Sequence, residues 1–200
     1  MAKKIFIEFA RVFLKLFFLL FYRVKIIGIK NVPEKGAAVL CANHLGEMDM
    51  VFIGYKIKRL VRYMAKSELF KIPILSPLIK FLGAFPVKRG KADVEAIKTA
   101  LRLLNEGHII GIFPEGTRLK NKQGKTVKAK PGAALLAQKS GAPILPVAVE
   151  GKYRPFSKIK IVFGEPFTLD LDKDKKYTNN ELVEISEGIM KKVYSLLEEG

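Results

Sequence analysis

The feature that most limits the fold of this chain is a series of short apolar runs, at residues 37–42, 60–65, 108–113, 144–149 and 159–163, separated by stretches of polar or helical character. Runs of about six residues, bounded by turn signals, suit strands buried on both faces. Strands of that kind belong to parallel sheets covered by helices. The intervening segments supply such helices. Residues 93–106 are amphipathic, with Val94, Ile97, Leu101 and Leu104 on one face and Gly107 as the stop. Residues 131–141 begin with proline and end with glycine, as helices do. Thr178 and Glu181 make a capping box for a last helix carrying Leu182, Ile185, Ile189 and Val193. A weakly alternating stretch, 24–29, reads as a further strand, and residues 47–57 as a helix. No internal repeat is present. The expected fold is α/β, a mostly parallel central sheet flanked by helices. Two hundred residues suit a single core, here residues 24–200, preceded by a membrane-associating helix in residues 1–23.

That helix follows from residues 5–22, apolar except for Glu8, Arg11 and Lys15; with Lys4 these fall at helical spacing and form one narrow polar stripe. Eighteen residues would span about 27 Å, near the lower limit for a bilayer crossing. The stripe favours a helix lying in the interface, with Phe6, Phe9, Phe13, Phe17 and Phe21 toward lipid. A single transmembrane span and a helix packed on the domain's own core are the alternatives. No small-residue cleavage site follows, which argues against a secretory signal peptide. Residues 70–82 are apolar but interrupted by Pro73 and Pro77, which prevent one regular helix. They are read as core, ahead of a second membrane-facing surface.

Lys and Arg total 36 against 19 Asp and Glu, a net charge of +17, so the chain is expected to attract a polyanion. Charge alone does not distinguish nucleic acid from an anionic membrane. The phenylalanines crowd into the amino-terminal apolar helix and are not interleaved with basic groups as in nucleic-acid platforms, which favours lipid. One cysteine, Cys41, excludes an intrachain disulfide framework and reads as a small buried residue. Two histidines without clustered ligands argue against a catalytic zinc.

The run 37–42 feeds the turn Asn43-His44-Leu45-Gly46-Glu47-Met48-Asp49. A histidine there stands at the carboxyl edge of the sheet, where open α/β folds keep their ligands. Five residues correspond to about 140° around a helix, so the pair meets only if His44 precedes the helix and Asp49 reaches back from it. The carboxylate then takes the Nδ1 proton and leaves Nε2 as a base. A later strand, 108–113, empties into Pro114-Glu115-Gly116-Thr117-Arg118, and a third turn brings Arg89. His108 opens its strand and is set aside as a base.

In order, Asn43-His44-x4-Asp49, Lys66-x-Glu68-Leu69, Gly83-x-Phe85-x-Val87-x-Arg89, Phe113-Pro114-Glu115-Gly116-Thr117-Arg118 and Leu145-Pro146-Val147 resemble the motif series of the glycerolipid acyltransferases, and among them the bacterial 1-acyl-sn-glycerol-3-phosphate acyltransferases. The resemblance implies acyl transfer from a thioester of acyl carrier protein or coenzyme A to lysophosphatidic acid, giving phosphatidic acid, without a cofactor or metal. His44 would act as base and Asp49 as its orienter. Arg118 and Arg89 would hold the phosphate, with Lys66 as a third cation, and Gly116 and Thr117 would provide close backbone approach and a hydroxyl. Glu115 would belong to the acceptor site, holding a glycerol hydroxyl or an arginine. Leu119 stands where family members often have serine, and Phe85-Pro86-Val87 matches only approximately. Another lysolipid, such as a lyso-ornithine lipid, therefore stays as an alternative acceptor. A non-catalytic basic membrane-binding or nucleic-acid-binding module is the alternative from a different class. The expected location is the cytoplasmic face of the plasma membrane, on an anionic surface and monotopic.

Overall fold

Ala38–Ala42 (β2) lies at the centre of a seven-stranded sheet with every side chain buried, as its unbroken apolar run requires. A computed structural model describes residues 9, 12–14, 16–18, 20–88, 93–117 and 128–198. The other strands are Arg23–Ile27 (β1), Val61–Lys66 (β3), Phe85–Val87 (β4), Ile109–Ile112 (β5), Ile144–Gly151 (β6) and Lys158–Phe163 (β7). Their spatial order is β1-β7-β6-β2-β5-β3-β4. All neighbours are parallel except β6 and β7, which form an antiparallel hairpin.

Alternation along β2 divides the interior. Val39 and Cys41 face one core with Asp93-capped helix Val94–Asn105 (α4), Gly132–Ser140 (α5) and Asn179–Glu198 (α6). Ala38, Leu40 and Ala42 face the other, closed by Asp49–Gly54 (α2) and by Phe18 of the amino-terminal helix (α1), described at residues 9, 12–14, 16–18, 20 and 21. Phe18 is 1% exposed and stacks on Phe52 at 4.2 Å. The opposite side of α1 presents Phe9, Val12, Phe13, Leu16 and Leu20 to the exterior. One side of this helix is therefore packed on the core, as the core-packed alternative expected, while the other is apolar and exposed. Phe13 and Phe9 are outward, whereas Phe17 is partly packed against the core; Phe6 lies outside the described residues. Among the described residues, no helix is long and apolar enough to cross a membrane.

Three expectations are corrected. The helix expected at 47–57 is only α2, because the turn that carries His44 continues to Met48 and the helical hydrogen bonds stop near Tyr55. Residues 70–82 are not core: a 3-10 turn, Ser67–Lys71, leads to Leu75–Phe81 (α3), and Ile74 is 89% exposed, with Ile72 and Leu78 also exposed. The prolines fall between and near the start of these elements, where a missing N–H does little harm. On α4 the buried face is Ala96, Ala100, Leu103 and Leu104, and Val94 points outward. Alanines can approach the sheet closely, so the larger Ile97 and Leu101 flank the contact while Val94, at the first turn, lies beyond it. The capping box does form: Glu181 N–H donates to Thr178 Oγ1 at 3.3 Å, and Thr178 N–H to Glu181 Oε2 at 2.6 Å.

Candidate active site

The carboxyl ends of β2 and β5 lie side by side, Cys41 level with Ile112. From β2 the chain leaves toward β3 over the α2 face, and from β5 it leaves toward β6 over the α5 face. Diverging connections open a crevice at this edge, the switch point of the sheet. The His44 and Glu115 turns form its two lips.

Asn43 ends β2 with its own amide in place of main-chain pairing. Its Nδ2 donates to Val149 O at 2.8 Å, and its Oδ1 accepts from Val149 N–H at 2.7 Å. The backbone can thus turn away from β6 without orphaning that buried peptide. His44, 4% exposed, stacks its ring on Phe113 at 4.2 Å. Its Nδ1 lies 2.6 Å from Asp49 Oδ2. Asp49 is the first residue of α2 and wholly buried; Oδ2 also accepts from Gly46 N–H at 2.9 Å, and Oδ1 accepts from the Tyr153 hydroxyl. Three donors converge on one carboxylate, the arrangement a buried anion needs. With Nδ1 donating to Asp49, Nε2 keeps its lone pair, and among the described residues nothing hydrogen-bonds to it.

Glu115 is 2% exposed. Oε2 accepts from His44 N–H at 3.0 Å and Oε1 from the Tyr194 hydroxyl. Burial pushes its carboxyl above the ordinary range, opposed by these two bonds. Its observed partners are thus the peptide of His44 and helix α6. Gly116 has φ 65°, the left-handed region that favours glycine, and its N–H closes the turn on Phe113 O at 2.9 Å. The side chain of Lys130 lies alongside, 3.2 Å from where a Cβ on Gly116 would stand. Thr117 is half-buried at the end of the described turn. The N–H groups of His44, Gly46 and Gly116 all have acceptors within the protein, so none of the three is free for a substrate oxyanion.

Lys66 shares the edge but ends β3, with β5 between it and β2; it is exposed and 3.6 Å from Glu68. Arg89 and Arg118 lie outside the described residues. His108 precedes β5 and so stands at the opposite edge, where Arg62 reaches its Nε2 at 3.2 Å; desolvation, then the Arg62 charge, lower its pKa. Cys41 is fully buried in the α5-side core, and burial pushes its thiol up. Tyr153 and Tyr194 were not among the candidates: they lie 104 and 79 positions from their carboxylate partners, and no local spacing signals such contacts. Lys130 closes a lysine-rich stretch of sequence with nothing to single it out.

A family model described as Acyltransferase matches residues 23–150, from β1 through both lips of the crevice to the end of β6. The chain belongs to the Acyltransferase family. Within that family it is 36% identical over 149 residues to the 1-acyl-sn-glycerol-3-phosphate acyltransferase of Bacillus subtilis, covering 72% of this chain and 73% of the relative. It is 30% identical over 189 residues to the protein of the same name from Borreliella burgdorferi, covering 87% and 73%. Among solved structures, the 1-acyl-sn-glycerophosphate (LPA) acyltransferase PlsC from Thermotoga maritima superposes with a TM-score of 0.72 at 28% identity, covering 98% of this chain and 81% of that one. The acyltransferase fold expected from the motifs is therefore present over nearly the whole chain.

Proposed function

We propose that this acyltransferase transfers an acyl group from a thioester to the 2-hydroxyl of 1-acylglycerol 3-phosphate, giving phosphatidic acid for phospholipid synthesis. The observation that carries the reading is the His44–Asp49 pair at the switch point, with Nε2 of His44 unengaged among the described residues, in a chain whose relatives bear that activity in their names. A hydroxyl is a weak nucleophile near neutral pH, and an imidazole of ordinary pKa about 6.5 is suited to take its proton during attack. The acceptor oxygen bonds to the thioester carbonyl carbon while its proton passes to His44 Nε2. The tetrahedral intermediate then collapses, the carbon–sulfur bond breaks, and the proton leaves with the thiol. Asp49 holds the tautomer throughout, and Glu115 fixes the His44 peptide from the opposite lip.

Arg118 and Arg89, which follow the second and a third turn in sequence, are proposed to grip the phosphate with two N–H donors each. Lys66 is a further cation at the same edge, and Gly116 and Thr117 border the phosphate. The donor is proposed to be a thioester of acyl carrier protein or coenzyme A, with no cofactor or metal taking part. The outward apolar side of α1 supports a monotopic association with an anionic membrane, on the cytoplasmic face where such thioesters are made. Leu119 keeps a different lysolipid, such as a lyso-ornithine lipid, as the second reading. Purified protein given acyl thioester and a panel of lysolipid acceptors separates the two: thiol release with lysophosphatidate above all others is expected, and preference for a lysolipid without a phosphomonoester overturns the acceptor assignment.

A further inference from the structure

We propose that the hairpin between β6 and β7, residues 152–157, is a second bilayer contact, which sets Phe156 among the headgroups of an anionic phospholipid membrane while Tyr153 of the same turn holds Asp49. The proposal rests on the reading that His44 and Asp49 act on a membrane lipid.

Phe156 is 68% exposed, so packing within the domain does not account for it. It is the one non-glycine residue with positive φ among those described, at 64°, a conformation strained for a bulky side chain. Two main-chain bonds hold the turn to the end of α1 and the start of β1: Phe156 N–H to Phe21 O at 2.6 Å, and Arg23 N–H to Ser157 O at 3.0 Å. The two rings stand 6.4 Å apart, and Phe21 is itself exposed, so the outward apolar side of α1 runs on into the hairpin.

Charge surrounds this surface. Lys152 and Arg154 flank the turn and are exposed. In the adjoining ladder, Arg23 lies opposite Lys158 and Lys25 opposite Lys160, so cation faces cation, and Glu150 is the one carboxylate in register with them. Like charges placed directly opposite weaken a sheet unless an anion lies over them. An apolar ring rimmed by cations fits the interfacial zone of an anionic bilayer; an acidic protein would satisfy the cations and leave Phe156 in water. The exposed apolar side chains of α1 lead into β1, and Ile72 and Ile74 follow β3, at this same edge of the sheet. Ile29 follows β1 and lies at the opposite edge.

The hairpin joins that surface to the chemistry. Tyr153 stacks on Phe52 of α2 at 5.0 Å and donates to Asp49, three residues before Phe156. Seating the turn in the bilayer would therefore brace the carboxylate that orients His44.

The test uses the full chain with Phe156→Ser, Ile29→Ser and the double variant Lys152→Glu/Arg154→Glu. Association is measured with vesicles of phosphatidylcholine alone and of phosphatidylcholine mixed with phosphatidylglycerol. Phe156→Ser is expected to weaken association roughly five- to tenfold, the double variant to remove the preference for the mixed vesicles, and Ile29→Ser to change nothing. Turnover of vesicle-borne lysophosphatidate falls in Phe156→Ser, while turnover of a short-chain acceptor dissolved as monomer stays at the wild-type level, which also reports an intact fold. Unchanged association of Phe156→Ser, or equal loss of turnover on both acceptors, overturns the proposal. Vesicle association does not depend on turnover, so a wild-type protein that binds vesicles through Phe156 yet acylates no lysophosphatidate contradicts the proposed reaction and supports the contact.

Discussion

His44 is held at three points, by its own turn and by the turn that follows β5. Asp49 takes its ring, Glu115 its peptide N–H, and Phe113 its face. Of these, the Asp49 contact was legible from a spacing of five, because geometry allows the pair to meet only across a strand-to-helix turn. The partners behind it were not legible. Tyr153 reaches Asp49 from the β6–β7 hairpin, and Tyr194 reaches Glu115 from α6, and each joins positions that only the folded chain brings together. Tyr153→Phe keeps the ring on Phe52 but removes one of three donors to Asp49; steady-state kinetics are expected to give kcat about tenfold lower with KM unchanged, as for a positioning group. Glu115 makes a pH prediction with a definite sign. Its folded pKa is raised chiefly by burial, so its contribution favours the fold below the ordinary carboxylate pKa and is lost as pH rises through the folded value. Melting temperatures of wild type and Glu115→Gln, compared from acid to neutral pH, are expected to converge in acid and to diverge above it in favour of the glutamine variant.

At the scale of elements, the apolar runs foretold the strands because the central ones, β2, β5 and most of β6, are buried on both faces, and the structure moves strand ends by only one or two residues. Helical faces were harder to read. The largest apolar residues of the 93–106 segment suggested one contact stripe, yet alanines make the closest approach and Val94 faces outward. Residues 70–82 looked like core by composition, but composition does not say which side of an element has a partner, and Ile74 is almost fully exposed. One position on β5 could not be read at all from sequence. Gly111 is flat strand, yet a Cβ there would stand 2.4 Å from the Tyr63 ring, which lies across it from β3 and faces Phe113 at 6.0 Å. Gly111→Ala is expected to cost about 1–3 kcal/mol, measured by urea unfolding, and to shift Phe113 beneath His44. The same substitution at Gly54, where nothing approaches a Cβ, is expected to leave stability unchanged or slightly raised.

At the scale of the molecule, the His44–Asp49 pair, the exposed apolar side chains of α1, those of Ile72 and Ile74 after β3, and the basic β1–β7 ladder all attach to one edge of the sheet. An enzyme whose acceptor resides in a bilayer gains from such an arrangement, because the hydroxyl and its base then meet without the lipid leaving the membrane. The excess of 36 basic over 19 acidic residues, ambiguous in the sequence, acquires a direction from this edge. Association with anionic vesicles is accordingly expected to weaken as salt rises but to persist in part, since the apolar contribution is not screened; complete release at high salt would indicate a surface contact without insertion. The reaction itself is tested most directly by single-turnover formation of phosphatidic acid from acyl thioester and lysophosphatidate, comparing wild type with His44→Ala at equal folded concentration. Loss of a positioned base predicts a rate lower by about 10²–10⁴, with vesicle association retained. A His44→Ala enzyme that forms phosphatidic acid at the wild-type rate would contradict the account.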